Sequence, residues 1–262
     1  MSLDDRAALP PGGRRALHRV TTVIPCFNGA SLVERAIDSA LAQAAVDVDV
    51  IVVDDGSADG SAARVGRRLA QEPRLRLICL GSNNGAAHAR NVGLAQATGR
   101  YLAFLDHDDW WAPGKLRRQI AALEEHGAGL CYTGVEVQNL AGARLGYRAV
   151  PERIDAEQLL VHNVIAASSV MLDRTRVPPF RMPPLRRRQD VATWHRLLRQ
   201  GVVAVGIPAP LTVYTKRPGS LSANKLVAAQ ANWHLYRAHL ERPLPAAVSM
   251  FTRYAAAALR RV

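Results

Sequence analysis

Three carboxylates stand within four residues at the end of one apolar segment of this 262-residue chain. Asp106-His107-Asp108-Asp109 follows the apolar run 101–105 and precedes Trp110-Trp111. Negative charges at the mouth of a buried strand are costly to desolvate unless a cation compensates them. A divalent metal that carries a diphosphate meets this need, because Mg²⁺ and Mn²⁺ bind through one or two carboxylates and complete their shell with phosphate and water. The alternative is an acidic turn that caps a helix beginning at Pro113.

A second acidic turn, Asp54-Asp55-Gly56-Ser57, ends another apolar run. A carboxylate in this position can accept the N3–H of a uracil or thymine ring, or a ribose hydroxyl. Phe27, in the loop 25–29 after an earlier apolar run, can lie against the base. Asp-Gly-Ser is also ordinary turn chemistry without any ligand, and the two interpretations stay open.

Two further segments place chemically useful groups at helix starts. Residues 82–91 combine small residues with Arg90, whose guanidinium and the helix amides can face a diphosphate. Equally, Asn84 can be a plain N-cap and Arg90 a surface residue. Asp190 follows Arg186-Arg187-Arg188 and Gln189, and in a partly apolar cleft it can act as a general base. A cap or first-turn aspartate is the alternative there.

The elements that must position these side chains alternate between strands and helices in the first 110 residues. The sequence predicts strands at 20–24, 46–53, 75–80 and 101–105, separated by helices at 31–43, 57–72 and 84–97. These strands are apolar without alternation, which is typical of a parallel sheet covered on both faces. Ligands bind at the carboxyl ends of such strands, where both acidic turns lie.

After Trp111 the pattern becomes more irregular. It predicts helices at 113–126, 155–162 and 190–200, strands at 129–139, 167–173 and 202–207, and a Pro- and Arg-rich loop at 177–188. Two amphipathic helices close the chain, the second with Leu244, Val248 and Phe251 on its apolar face. We expect a flexible leader at 1–18, a domain at 19–222 with halves 19–111 and 112–222, and C-terminal helices at 223–262.

The positive charge of the chain is confined to its second half. Residues 111–262 carry 22 Lys/Arg and 9 Asp/Glu, a net charge of +13, whereas residues 1–110 are at −1. Such a field attracts nucleic acid, nucleotide diphosphates or an anionic membrane face, although arginine-rich composition can also lack any such role. Nucleic-acid binding predicts aromatic residues among the basic ones, and none lies between Arg181 and Arg188. We therefore expect no nucleic-acid partner.

The termini and cysteines bear on location. No apolar run approaches the ~18–20 residues that span a bilayer, and the leader is Pro/Gly/Arg-rich, unlike a signal peptide. The three cysteines are widely spaced and indicate reduced thiols in the cytoplasm. Arg253, Arg260 and Arg261 on the last helix suggest peripheral contact with the anionic inner face of the plasma membrane; the alternative is that this helix packs on the main domain.

Four ordered motifs resemble the family 2 glycosyltransferases of GT-A fold. They are Val-Ile-Pro-Cys-Phe-Asn (23–28), Val-Asp-Asp-Gly-Ser (53–57), Asn-Asn-Gly-Ala-Ala-His-Ala-Arg-Asn-Val-Gly (83–93) and Gly-Arg-Tyr-Leu-Ala-Phe-Leu-Asp-His-Asp-Asp-Trp-Trp (99–111). Residues 188–198 resemble the helix that carries the catalytic base. Tyr214 and Gly219-Ser220-Leu221-Ser222 resemble the tail of bacterial members that build lipopolysaccharide, capsule and exopolysaccharide. The resemblance spans about residues 19–240.

The resemblance implies an α/β GT-A fold, Rossmann-like, with a mostly parallel central sheet covered by helices on both faces. It implies a metal-dependent, inverting transfer from a nucleoside-diphosphate sugar, UDP-linked in the first instance, to a glycan or lipid-linked glycan, with Mn²⁺ or Mg²⁺ as cofactor. It assigns nucleotide-sugar binding to Pro25, Phe27, Asn28, Asp55, Asn84, Arg90, Asp106 and His107, metal binding to Asp106 and Asp108, and the base to Asp190. Gln189 departs from the usual acidic residue before the base, and His195 from a common leucine. A catalytically inactive nucleotide-sugar-binding relative is the main alternative.

Overall fold

The computed structural model describes residues 18–217 and 225–259. The strands are β1 (Arg19–Cys26), β2 (Asp47–Asp54), β3 (Leu75–Cys79), β4 (Tyr101–Phe104), β5 (Trp110–Trp111), β6 (Leu130–Asn139), β7 (Arg144–Arg148), β8 (Met171–Asp173) and β9 (Ala204–Lys216). The helices are α1 (Val33–Leu41), α2 (Ser61–Leu69), α3 (Ala86–Ala95), α4 (Lys115–Glu125), α5 (Ala156–His162), α6 (Gln189–Arg199), α7 (Lys225–His234) and α8 (Leu244–Leu259). A 3₁₀ turn, Ala167–Ser169, precedes β8, and a π-helical turn, Leu235–His239, follows α7.

The described strands form one sheet in the order β3-β2-β1-β4-β8-β6-β9-β5, with β7 beside β6. β1 pairs in parallel with β2 and β4, and β2 pairs in parallel with β3, which confirms the parallel arrangement predicted for the first half. Along β4, Leu102 and Phe104 are buried in the hydrophobic cluster on one face, and Tyr101 and Ala103 in the cluster on the other. Because helices cover both faces, these strands carry apolar residues without alternation.

The second half of the sheet is mixed. β8 runs antiparallel to β4 and β6, whereas β6 and β9 are parallel. Antiparallel register pairs Tyr101 with Asp173 and Ala103 with Met171. The residues before β8 therefore lie beside those that follow β4. This brings the 3₁₀ turn next to the acidic turn at residues 106–109. β5, which the sequence did not predict as a strand, pairs with β9 and anchors the far side of that turn.

The C-terminal helices pack on the hydrophobic cluster that contains Leu102 and Phe104. Ala247 and Met250 of α8 are buried there, and the Tyr236 hydroxyl donates to the Leu160 carbonyl at 2.7 Å. The predicted apolar face of this helix is therefore displaced: Leu244 and Val248 are 55% and 45% exposed. No helix among residues 18–217 and 225–259 combines the length and apolar character needed to cross a bilayer. The predicted leader up to residue 17, the tail 219–222, and Arg260 and Arg261 lie outside the described residues.

Candidate active site

The acidic turn lies at the carboxyl end of β4, as predicted, and its three carboxylates have different partners. Asp106 forms an ion pair with Arg90. Asp108 forms one with Arg217, with Nη2 2.8 Å from Oδ2. The alternative interpretation, a turn that caps the next helix, is wrong: α4 begins at Lys115, and its N-cap Gly114 is left-handed and makes no side-chain cap bond. The charges of Asp106 and Asp108 are therefore balanced by arginines rather than by helix amides.

Asp109 is the buried anchor of the turn. Its carboxylate accepts the Ser168 hydroxyl at 2.6 Å and the Thr215 amide at 3.1 Å. Burial, together with the charges of Asp108 and Asp106, raises the pKa of Asp109 well above its usual range. The half-exposed Asp106 and Asp108 thus remain the carboxylates of this turn that can meet a ligand.

Arg90 links the acidic turn to the predicted base. Its side chain is 4% exposed, and α3 holds it with Nη2 on Asp106. Burial alone would lower the pKa of Arg90, but the charges of Asp106 and Asp190 raise it on balance, which places Asp190 within the electrostatic reach of this guanidinium. Nε and Nη1 of Arg90 have no hydrogen-bond partner among the described residues. Unfilled guanidinium donors in a buried site suit the oxygens of a diphosphate.

Asp55 is buried at the end of β2 and holds the entry to α3. Its two oxygens accept the amides of Asn84 at 3.0 Å and Gly85 at 2.7 Å. The N-cap of α3 is Gly85, so the interpretation of Asn84 as N-cap is wrong. A carboxylate has about four lone-pair sites, so two remain for a further donor. Gly56 permits the close loop contact: at φ +76° its Cβ would lie 2.9 Å from the Ser82 backbone.

The loop after β1 brings Phe27, Asn28 and Pro25 to the same edge. Phe27 is 39% exposed, which leaves its ring accessible. The Asn28 amide donates to Ser57 Oγ at 2.9 Å and its side-chain oxygen accepts the Ala58 amide at 3.0 Å, so Asn28 ties this loop to the β2 loop.

His107 lies under the same loop, with Nδ1 3.3 Å from the Pro25 carbonyl oxygen. The absence of a side chain at Gly29 makes room for the ring, because a Cβ there would lie 2.3 Å from His107 Cδ2. His107 Nε2 is buried and, within the described part of the chain, without a partner. The structure therefore brings His107 to the carboxyl end of β1, beside the loop that holds Phe27 and Asn28.

Asp190 is the second residue of α6 and is half-buried. It accepts the Val191 amide at 2.9 Å, a first-turn contact. Arg188 is the N-cap in a left-handed conformation, φ 63°, without a side-chain cap bond, so Asp190 is not the cap. Gln189 Oε1 is buried and has no partner in the ranges described. Asp190 thus combines a helical anchor with proximity to Arg90.

Four residues of the site have no signal in the local sequence pattern: Ser168, Thr215, Arg217 and Arg35. Arg35 of α1 donates to the Asp108 carbonyl at 3.3 Å and to Thr215 Oγ1 at 2.7 Å. These residues come from α1, the 3₁₀ turn and the end of β9, which only the tertiary fold brings to the acidic turn.

The oxygen donors fit a divalent cation of the Mg²⁺ or Mn²⁺ type. Among residues 18–217 and 225–259, no three His, Cys, Asp or Glu side chains converge to form a metal cage made by protein alone. Such a cage is not required, since these ions are commonly bound through one or two carboxylates plus phosphate and water. Asp106 and Asp108 are the residues that would hold the ion, and each now has an arginine as its counter-charge.

Comparison with known proteins gives consistent matches. A family model described as "Glycosyl transferase family 2" matches residues 21–165. TuaG of Bacillus subtilis (strain 168), named for teichuronic acid biosynthesis, is 33% identical over 92% of this chain and 96% of its own length. WfgD of Escherichia coli, a UDP-Glc:alpha-D-GlcNAc-diphosphoundecaprenol beta-1,3-glucosyltransferase, is 29% identical over 86% of this chain and 88% of its own.

Two solved structures share the fold at low identity. Mannosyltransferase PcManGT from Pyrobaculum calidifontis, in complex with GDP-Man and Mn²⁺, has a TM-score of 0.67 at 21% identity and covers 91% of this chain and 73% of that one. S. aureus TarS 1-349 with UDP-GlcNAc has a TM-score of 0.65 at 17% identity and covers 90% of this chain and 71% of that one.

Proposed function

This chain belongs to glycosyl transferase family 2 and is a glycosyltransferase, and on that premise we propose that it transfers a sugar from a nucleoside-diphosphate sugar to a hydroxyl group of a cell-surface glycan or lipid-linked glycan. One observation carries the proposal. Buried Arg90 pairs with Asp106, its pKa is raised by the charge of Asp190, and two of its nitrogens, Nε and Nη1, have no hydrogen-bond partner among residues 18–217 and 225–259. The elements that would bind a diphosphate and the group that would accept a proton therefore share one site.

The donor would lie across the carboxyl ends of β1, β2 and β4. Asp55 has acceptor capacity left for a base or ribose donor, and the exposed ring of Phe27 offers a stacking surface. The unfilled N–H groups of Arg90 would hold diphosphate oxygens. Pro25, Asn28, Asn84 and His107 would shape the pocket mainly through loop contacts. A metal held by Asp106 and Asp108 would neutralise the charge that develops on the leaving nucleoside diphosphate.

Asp190 would deprotonate the acceptor hydroxyl. Its helix fixes the carboxylate while the residue stays partly exposed, as a group that must reach an incoming hydroxyl requires. Attack on the anomeric carbon from the face opposite the leaving group inverts the configuration in one displacement, and no sugar–enzyme bond is formed. The presence of Asp106, Asp108 and Asp190 together favours this activity over mere nucleotide-sugar binding.

The acceptor side is supported by the relatives and by charge. WfgD acts on a diphosphoundecaprenol-linked sugar. The excess charge of residues 111–262, +13, suits an anionic lipid-linked acceptor and peripheral contact with the inner membrane face. Exposed Leu244 and Val248 on α8 add apolar surface for this contact. We propose such a contact as reversible and salt-sensitive.

The experiment that tests this function is a donor screen. Purified protein is incubated with UDP-, GDP- and dTDP-sugars with Mn²⁺ or Mg²⁺, and release of the nucleoside diphosphate is measured with and without lipid-diphosphate sugar acceptors. We expect release from one nucleotide class, stimulated by an acceptor and abolished by EDTA. Absence of release from every donor, with an acceptor present, would contradict the proposal.

A further inference from the structure

The Ser168 hydroxyl touches both ends of the acidic turn. It donates to Asp109 Oδ2 at 2.6 Å and accepts the Asp106 amide at 3.1 Å. The side chain is 1% exposed, so water does not compete for these bonds. A single buried hydroxyl therefore closes the four-residue turn that carries Asp106 and Asp108.

Sheet pairing explains why a residue 62 positions along the chain from Asp106 occupies this place. β8 pairs antiparallel with β4 from Tyr101–Asp173 to Ala103–Met171. The 3₁₀ turn that precedes β8 therefore lies beside the residues that follow β4. The hydrogen bond from the Asp106 amide to Ser168 joins these two segments.

The backbone at Ser168 is held independently of its hydroxyl. Its carbonyl accepts Trp111 Nε1–H at 2.7 Å and the Thr212 hydroxyl at 3.4 Å. Removal of the hydroxyl alone therefore leaves the 3₁₀ turn tied to β5 and β9. The effect of the Ser168 hydroxyl can therefore be tested separately from that of its backbone contacts.

We propose that Ser168 is a positioning residue of the donor site, whose hydroxyl fixes the acidic turn so that the Asp106 and Asp108 carboxylates meet the donor's diphosphate and its metal in one arrangement. This inference rests on the proposed function. A released turn would sample several carboxylate arrangements, and ordering them again on binding would weaken affinity. Ser168 holds the turn through its hydrogen bond to Asp109, a residue that does not need to contact the ligand.

Ser169 provides a matched control. It is equally buried, but its hydroxyl donates to the Ala166 carbonyl at 2.7 Å within its own turn. Ser168→Ala and Ser169→Ala therefore remove the same group from adjacent buried positions, and only the first loses contact with the acidic turn. Ser168→Cys keeps most of the volume with a weaker donor and acceptor.

The test is calorimetric titration of UDP in the presence of Mn²⁺, with the melting temperature of each variant measured alongside. We expect Ser168→Ala to weaken UDP binding roughly tenfold, because binding must then order the two released carboxylates again. Ser168→Cys should fall between it and the wild type, and Ser169→Ala should bind as the wild type does. If the Ala variant does not fold, Ser168→Cys against Ser169→Ala decides.

Equal UDP affinity of the wild type and Ser168→Ala would overturn the inference alone. Equal weakening by Ser169→Ala would also overturn it, because the effect would then be one of packing. A wild-type protein that binds neither UDP, GDP nor dTDP with Mn²⁺ would overturn the proposed function and this inference with it.

Discussion

Lys115 is fully buried at the start of α4, next to the ring of Trp111. Its ammonium lies 4.0 Å from the Trp111 ring centroid and donates to Gln119 Oε1 at 2.7 Å. Burial lowers the Lys115 pKa from 10.5 to about 7, against a small opposing influence of Cys131. Replacement by methionine, which fills similar volume without charge, is the perturbation that isolates the cost of this burial.

The sign and size of the effect on the free energy of unfolding follow from proton linkage. Between pH 7 and 10.5 the unfolded chain holds a proton on Lys115 that the folded protein has lost, so stability of the wild type rises with pH in this window. The penalty is fully present below pH 7 and amounts to roughly 4–5 kcal/mol. Attraction to Trp111 reduces it by up to about 2 kcal/mol. Loss of the Gln119 partner costs the variant about 1–3 kcal/mol at every pH.

Lys115→Met should therefore be about as stable as the wild type, or more stable by about 1–2 kcal/mol, at pH 7. Its stability relative to the wild type should then fall by roughly 2–4 kcal/mol between pH 7 and pH 10. Urea unfolding of both proteins across this range measures the difference, with Lys216→Met, at an exposed position, as control. A difference in stability that stays constant with pH would mean that burial does not lower the pKa of Lys115.

Three further predictions concern the site and its surroundings. Asp190→Asn should lower kcat roughly 10²–10⁴-fold with little change in donor binding, and wild-type turnover would show that another group is the base. Arg217→Gln removes the partly exposed counter-charge of Asp108, so the affinity for Mn²⁺ without nucleotide should rise roughly two- to fivefold, as measured by calorimetry. Unchanged affinity would mean that this ion pair does not compete with the metal. Vesicles that contain phosphatidylglycerol should sediment the protein at low salt and release it at high salt, and a protein that stays in the supernatant at low salt lacks direct membrane attachment.

The sequence predicted the first half of the fold because its signals are local. Apolar runs such as 101–105 fit strands buried on both faces, and glycines and polar turns mark their ends. The end of β9 could not be predicted in the same way: the sequence pattern supports a strand only to Ile207, whereas pairing with β6 extends it to Lys216. Thr215 and Arg217 reach the acidic turn through that extension.

The residues of the candidate site also separate into those with a local sequence signal and those that only the tertiary fold brings to the site. Asp106, Asp108, Asp55 and Asp190 stand in recognisable motifs at strand and helix ends. Ser168 lies in the segment 167–173, for which the sequence predicts a strand throughout; this prediction is wrong at its start, where Ala167–Ser169 form a 3₁₀ turn before β8. The sequence left Asp190 open as a general base or as a cap or first-turn residue, and the structure places it in the first turn of α6.

Binding of a nucleoside diphosphate should require both Asp108 and a divalent metal. Calorimetric titration of UDP with Mn²⁺, with EDTA and with Asp108→Ala tests it, with GDP and dTDP in parallel because base preference rests on Asp55 alone. Asp38→Ala, on the exposed side of α1, is the matched control. We predict tight binding only for the wild type and the control with Mn²⁺. Equal affinity under all conditions, in both aspartate variants, would mean that neither Asp108 nor the metal takes part in binding.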